Sequence, residues 1–166
     1  KLMVILYDRE NLPNDIFETI FKTPTQVIVA KELIKYMIHN GGEIGKTQMS
    51  MFATELHEGR YETVLDSGPY KGKKVRLRFP MEEDMAPTPK RGSPVADEDG
   101  LNYNKRQFYD RILTPMKSMG LIDYNLYKKT YKISTKFYND MMKIGLLWKT
   151  TLAHMGHKEA NTIDMG

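Results

Sequence analysis

The chain has no cysteine and no long apolar run. Among its 166 residues the absence of cysteine excludes disulfides, thiolate metal sites and cysteine nucleophiles, and it is typical of an intracellular, cytoplasmic protein. No stretch approaches the ~18 consecutive apolar residues of a membrane-spanning helix, so we expect no membrane partner. The apolar run at residues 2–7 is too short for a signal peptide, and charged residues follow it directly. We expect a strand there.

Groupings suited to catalysis or to metal binding are also scarce. His154 and His157 have helical spacing, but no third ligand is evident. The acidic triplets 82–84 and 97–99 lie in a proline-rich loop, whereas a metal-dependent nuclease needs rigidly placed carboxylates. The glycines in residues 41–47 lack the spacing of a phosphate-binding P-loop. We therefore predict a non-enzymatic protein without metal or cofactor.

Positive charge is concentrated in one part of the chain. Residues 104–149 contain ten Lys/Arg and three Asp, a net charge of +7, although the whole chain carries only +4. The pattern there indicates a helix that ends at Gly120, a short hairpin, and a second helix that starts near Ser134. A helix and a hairpin with a shared basic surface favour nucleic-acid binding.

Composition and periodicity divide the chain into a main domain and its additions. A mainly helical α+β domain is predicted, and residues 80–100 contain too few apolar residues to form a core. The predicted parts are an N-terminal strand and short helix (1–22), the main domain (23–57 and 102–155), an inserted basic hairpin with a flexible loop (58–101), and a frayed tail (156–166).

Local signals set the expected ends of the helices. Thr23 can cap a helix whose first residue is Pro24, and Asn104 with Gln107 repeats the pattern of a capping box. Pro115 lies inside the helix that follows Asn104, so it should kink or divide that helix. Gly120 should end it in a left-handed conformation.

Two segments resemble the winged helix-turn-helix family. They are TPTQVIVAKELIKYMIHNGGEI, which is similar to that family's first helix and first strand, and KSMGLIDYNLYKKTYKIS, which is similar to the junction of its recognition helix and wing. The resemblance covers about 23–57 and 104–150. It implies a winged helix-turn-helix fold, and it says less about function because the family is functionally diverse.

The chain departs from the family pattern between the second and third helices. His57 and Asn104 are about 46 residues apart, where the family has a short turn. One interpretation places an inserted hairpin and loop there. The other makes residues 23–80 a first winged unit, with Arg60–Asp66 as a stunted third helix and Lys73–Phe79 as its wing.

The resemblance implies that the third helix enters the major groove of double-stranded DNA, while wing lysines contact phosphates. Cations on the inserted hairpin would extend that track, although ordinary solvated faces are the alternative. The candidate DNA-binding residues are Asn102, Asn104, Lys105, Arg106, Tyr109, Arg111, Lys128, Lys129, Lys132, Lys73, Lys74, Arg76 and Arg78. Interleaved tyrosines either stack on unpaired bases or, in the simpler interpretation, pack the hairpin against the helices.

The last predicted helix has more apolar residues than one core requires. It suggests a homodimer through this C-terminal helix and the N-terminal strand, and the alternative is that both close the core of a monomer. The expected function is sequence-specific binding of double-stranded DNA by a transcription regulator. The alternative is a winged-helix interaction or DNA-binding module of a replication, recombination or chromosome-organising complex.

Overall fold

A computed structural model describes residues 8–66, 68–81 and 103–158, and these form a mainly helical α+β fold. The helices are α1 (Ile16–Ile20), α2 (Pro24–His39), α3 (Lys46–His57), α4 (Tyr103–Phe108), α5 (Thr114–Ser118) and α6 (Lys136–His154). The strands are β1 (Glu43–Gly45), β2 (Tyr61–Val64), β3 (Lys74–Leu77), β4 (Ile122–Asn125) and β5 (Thr130–Ile133). The predicted N-terminal strand, acidic triplets and most of the tail lie outside the described residues.

Helix α2 begins as its sequence predicts. The Gln26 backbone N–H donates to Thr23 Oγ1 at 3.2 Å, and Pro24 occupies the first helical position. Its inner face includes Val29, Leu33 and Met37, all fully buried. Helix α2 therefore lies at the centre of the core.

The first sheet joins distant parts of the chain. Its strand order is β1-β5-β4, with both pairs antiparallel, and Ile44 lies opposite Tyr131. Tyr131 and Tyr124 stack on the core side with ring centroids 4.6 Å apart. Burial raises the pKa of Tyr131 to about 12. The hairpin β4–β5 is thus held to the helices by β1.

Helix α4, a π-helical turn (Tyr109–Leu113) and α5 follow one another without a break and form what we term the composite helix (residues 103–118). Pro115 has no N–H to donate, and its ring would clash with the carbonyl four residues earlier in a regular α-helix. The wide turn, in which the Thr114 N–H donates to the Tyr109 carbonyl, directly precedes it. The expected division of the helix is therefore present as a π turn. The expected cap was wrong, because Asn104 lies within α4.

Strands β2 and β3 form a second antiparallel hairpin. The hairpin expected in this insertion is therefore present, and the alternative of a stunted third helix over Arg60–Asp66 is wrong, because Tyr61–Val64 is a strand. The Thr63 hydroxyl donates to Glu32 Oε2 at 2.7 Å, and Glu32 is only 3% exposed on α2. Phe79, just beyond β3, is 1% exposed in the common core. These contacts attach the hairpin along α2.

Helix α6 differs from the rest because none of its residues is buried. Phe137, near its start, packs against the core, and its N–H donates to the Gly120 carbonyl at 3.0 Å. The helix that was predicted to start near Ser134 begins at Lys136, whose N–H donates to the Ser134 hydroxyl at 3.1 Å. Beyond Phe137 the helix leaves the body of the domain.

Candidate nucleic-acid interface

The composite helix packs one side against α2 and α3 and turns the other to solvent. Phe108, Ile112 and Met116 are buried, whereas Arg106 is exposed and Lys105 is half-buried at the N-terminal end. The first turns of the composite helix therefore carry one exposed and one half-buried cation. Asn102 lies outside the described residues, as does the Asn104 side chain.

Two predicted DNA contacts make contacts within the domain instead. Tyr109 is half-buried and forms a hydrogen bond with Ser50 of α3; burial raises its pKa and this bond lowers it, with a net increase. Arg111 is also half-buried, and its Nε donates to Gln107 Oε1 at 2.9 Å. Tyr109 therefore joins the composite helix to α3, whereas the bond of Arg111 lies within the composite helix, and neither side chain points freely outward as the sequence suggested.

The turn between β4 and β5 presents two exposed lysines, Lys128 and Lys129. Asn125 Oδ1 accepts the N–H groups of Tyr127 and Lys128, each at 3.0 Å, and this closes the turn. Lys129 has a φ of +54°, a conformation in which glycine would be less strained. Tyr127 is 99% exposed at the tip.

Lys132 is less available for phosphate binding than the turn lysines. Its cross-strand neighbours are Glu43 on β1 and Asp123 on β4, so a carboxylate lies on each side. Asp123 also pairs with Lys136 Nζ at 3.0 Å. Positive charge on this hairpin is therefore concentrated at its turn.

Lys46 was missed by the sequence analysis. Its backbone N–H donates to the Lys129 carbonyl at 3.0 Å, so the exposed start of α3 lies beside the turn lysines. Ser50, one turn further along α3, contacts Tyr109 of the composite helix. The one available signal was electrostatic: lysine is unfavourable at the positive end of a helix dipole, where acidic residues are preferred.

These contacts place the turn of β4–β5 beside α3 and α3 beside the composite helix, and we term the cations carried by these segments the basic face. The segments are the turn of β4–β5, the start of α3 and the first turns of the composite helix. The cations are Lys46, Lys105, Arg106, Lys128 and Lys129.

The cations of β2–β3 are partly neutralised by their neighbours. Lys74 Nζ and Arg76 Nε lie 3.0 Å from the two carboxylate oxygens of Glu62, and they hold the pKa of that carboxyl below its usual value. Lys73 Nζ lies 5.5 Å from the centroid of the Tyr70 ring. The guanidinium of Arg78 packs over Gly59 after α3.

The structure does not bring Lys73 and Lys74 together with the basic face. The turn of β2–β3 lines a cleft with α1 and the first half of α2. The turn of β4–β5 contacts β1 and α3, which follow the other end of α2. The two turns therefore lie toward opposite ends of α2, a helix of 16 residues that is roughly 24 Å long.

Within the described ranges, no three His, Cys, Asp or Glu side chains group closely enough to hold a metal ion. The same residues include no helix with the length and apolar content needed to cross a membrane. No protein family, curated protein or solved structure was found that matches the chain.

Proposed function

We propose that the chain is a winged helix-turn-helix protein that binds double-stranded DNA as a non-enzymatic, intracellular transcription regulator. One observation supports this most strongly: β1 pairs with β5, and this pairing puts the turn lysines of β4–β5 beside α3 and the composite helix. The elements of this chain follow the order of that fold: α2, β1, α3, the composite helix and the hairpin β4–β5. The hairpin β2–β3 is inserted between α3 and the composite helix.

Each part of the basic face has a different task in this proposal. Lys128 and Lys129 contact phosphates, which contributes affinity without sequence information. Arg106 on the composite helix reaches base edges in the major groove, where its guanidinium can pair with guanine through two hydrogen bonds. Tyr109 holds the composite helix against α3 and Arg111 bonds to Gln107 within that helix, so both position the reading residues.

A second candidate is a winged-helix module for protein interaction within a replication, recombination or chromosome-organising complex. It is favoured by α6, whose apolar side chains are exposed. In that case the basic face does not bind a duplex.

Binding to fluorescent duplex DNA, measured by anisotropy at several salt concentrations, tests the proposal. Lys128→Ala/Lys129→Ala removes two phosphate contacts, so affinity falls and the slope of log K against log salt becomes shallower by about 2. Lys105→Ala/Arg106→Ala should also weaken binding. A selection of bound sequences from random duplexes gives the sequence preference.

Lys73→Ala/Lys74→Ala is the matched control, because it removes the same charge from the distant hairpin. It should leave both affinity and salt slope unchanged. Equal weakening by all three double substitutions would show a general charge effect in place of a defined face. Failure of the native chain to bind any duplex at ~50 mM salt would leave the interaction module as the function.

A further inference from the structure

Beyond its first turn, helix α6 has no packing partner among the described residues. It has 19 residues, of which none is buried, so it extends roughly 28 Å along its axis. Ile144, Leu147, Trp148 and Met155 are 54–79% exposed. An isolated helix of this kind gains little stability from propensity alone and usually requires packing of its apolar face.

The apolar side chains follow the spacing of a helix that packs along another helix. Six residues repeat at intervals of four and three along one face, which we term the α6 stripe: Phe137, Met141, Ile144, Trp148, Thr151 and Met155. This alternation is the a/d pattern of a two-helix coiled coil. Phe137 is covered by its own domain, whereas the stripe is exposed from Ile144 onward.

Two further residues beside or within the stripe point to a helix as the occupant. Gly145 lies in mid-helix, where glycine costs about 1 kcal/mol relative to alanine, and a Cβ there would meet no atom within 4 Å. Its own domain gives no steric reason for glycine, whereas a second helix crossing closely would. The Thr151 hydroxyl donates to the Leu147 carbonyl at 2.8 Å, so this polar group is satisfied inside the helix and its methyl remains for packing.

We propose that α6 pairs in antiparallel orientation with α6 of a second copy of this chain. In the register that aligns the stripes, Ile144 of one copy packs against Trp148 of the second copy, and Met141 packs against Thr151. Asp140 of one copy then faces His154 of the second, a complementary pair on the flank of the stripe. The two Gly145 residues lie across from each other, which permits close approach.

Parallel pairing fits these residues less well. It sets the two Trp148 side chains against each other in one layer and two Thr151 in another, and Asp140 finds no basic partner. In the antiparallel arrangement large and smaller side chains alternate, as close packing requires. Lys143 and Lys149 remain outside the contact in either case. The pairing does not depend on the proposed DNA binding.

The mass of the full chain in solution, measured by light scattering from about 1 to 100 μM, tests the pairing. The expected mass is twice 19.3 kDa. Trp148→Glu and Ile144→Glu should each give the mass of one chain with unchanged thermal unfolding of the domain, because neither residue is buried in the monomer. Leu146→Glu, on the opposite side of α6, is the matched control and should remain a dimer.

The orientation is tested by disulfide formation, since the chain contains no cysteine of its own. Met141→Cys and Thr151→Cys chains are mixed, refolded together and oxidised. Antiparallel pairing gives mainly the mixed 141–151 disulfide, whereas 141–141 and 151–151 products would contradict the register. A single-chain mass for the native protein at every concentration, or loss of the dimer in Leu146→Glu, would overturn the proposal itself.

Discussion

Gly120 is restricted to glycine by conformation and by contact. Its φ is +80°, which is left-handed, and the Leu121 N–H after it donates to the Met116 carbonyl at 2.9 Å to close the end of α5. A Cβ at this position would lie 3.0 Å from the Phe137 backbone nitrogen and 3.0 Å from Lys136 Cβ. One residue therefore ends α5 and admits the start of α6.

Gly120→Ala should lower the free energy of unfolding by about 2–4 kcal/mol, from left-handed strain of ~1–2 kcal/mol plus the displacement of α6. Gly41→Ala is the control, because Gly41 has a φ of +84° and open space around it. It should lose only the strain component, ~1–2 kcal/mol. Urea denaturation measures both variants, and equal losses would show that the contact with α6 is unimportant.

At the scale of elements, the spacing of buried residues in the composite helix contains a signal for its π turn. The buried pairs Gln107–Phe108 and Ile112–Leu113 repeat after five residues, whereas a regular α-helix would favour three or four. The π turn changes which residues face inward within and beyond it, and Arg111, inside the turn, is half-buried.

Deleting the exposed Asp110 should convert the wide turn to α-helical geometry and bring Pro115 into conflict with the preceding turn. We expect a loss of about 3 kcal/mol or more in the free energy of unfolding. Adding Pro115→Ala to the deletion should recover most of it, because the proline clash is removed, while Pro115→Ala alone changes stability little. Denaturant unfolding of the three variants measures this coupling, and strictly additive losses would contradict the account.

At the scale of the whole molecule, the fold is predictable where its causes are local. The Thr23 cap, the end at Gly120 and the hairpin over residues 122–133 all follow from neighbouring residues. The sequence could not show that β1 pairs with β5 or that Thr63 bonds to the buried Glu32, because those partners are distant in the chain.

The candidate site was predictable to a lesser extent. Lysines at the turn of β4–β5 and cations on the composite helix were identified from charge and pattern alone. Lys46 was missed because its proximity to Lys129 arises only when β1 joins the sheet. The cations of β2–β3 were included because a sequence shows charge without position. In the structure Glu62 pairs with two of these cations, and the turn of β2–β3 lies near the start of α2, away from the basic face.

A chain truncated after residue 142 should retain its fold, because α6 buries no residue in the domain and Phe137 is kept. We expect its melting temperature to be independent of protein concentration, while that of the full chain rises with concentration if α6 pairs two copies. Truncation after residue 133 removes Phe137 as well and should lower the melting temperature. Differential scanning calorimetry at two concentrations measures these effects, and unfolding of the 142-residue chain would contradict the placement of α6.

The sheet also constrains how the chain is made. The hydrogen bond between Glu43 and Thr130 joins residues 87 positions apart, and β1 pairs only with β5 among the described strands. Contacts of such separation slow folding. At a synthesis rate of ~5–20 residues per second, the ribosome adds β5 roughly 4–17 seconds after β1. During that interval β1, which lies between α2 and α3, has no partner strand. A chaperone that binds exposed apolar helices would bind the chain at this stage.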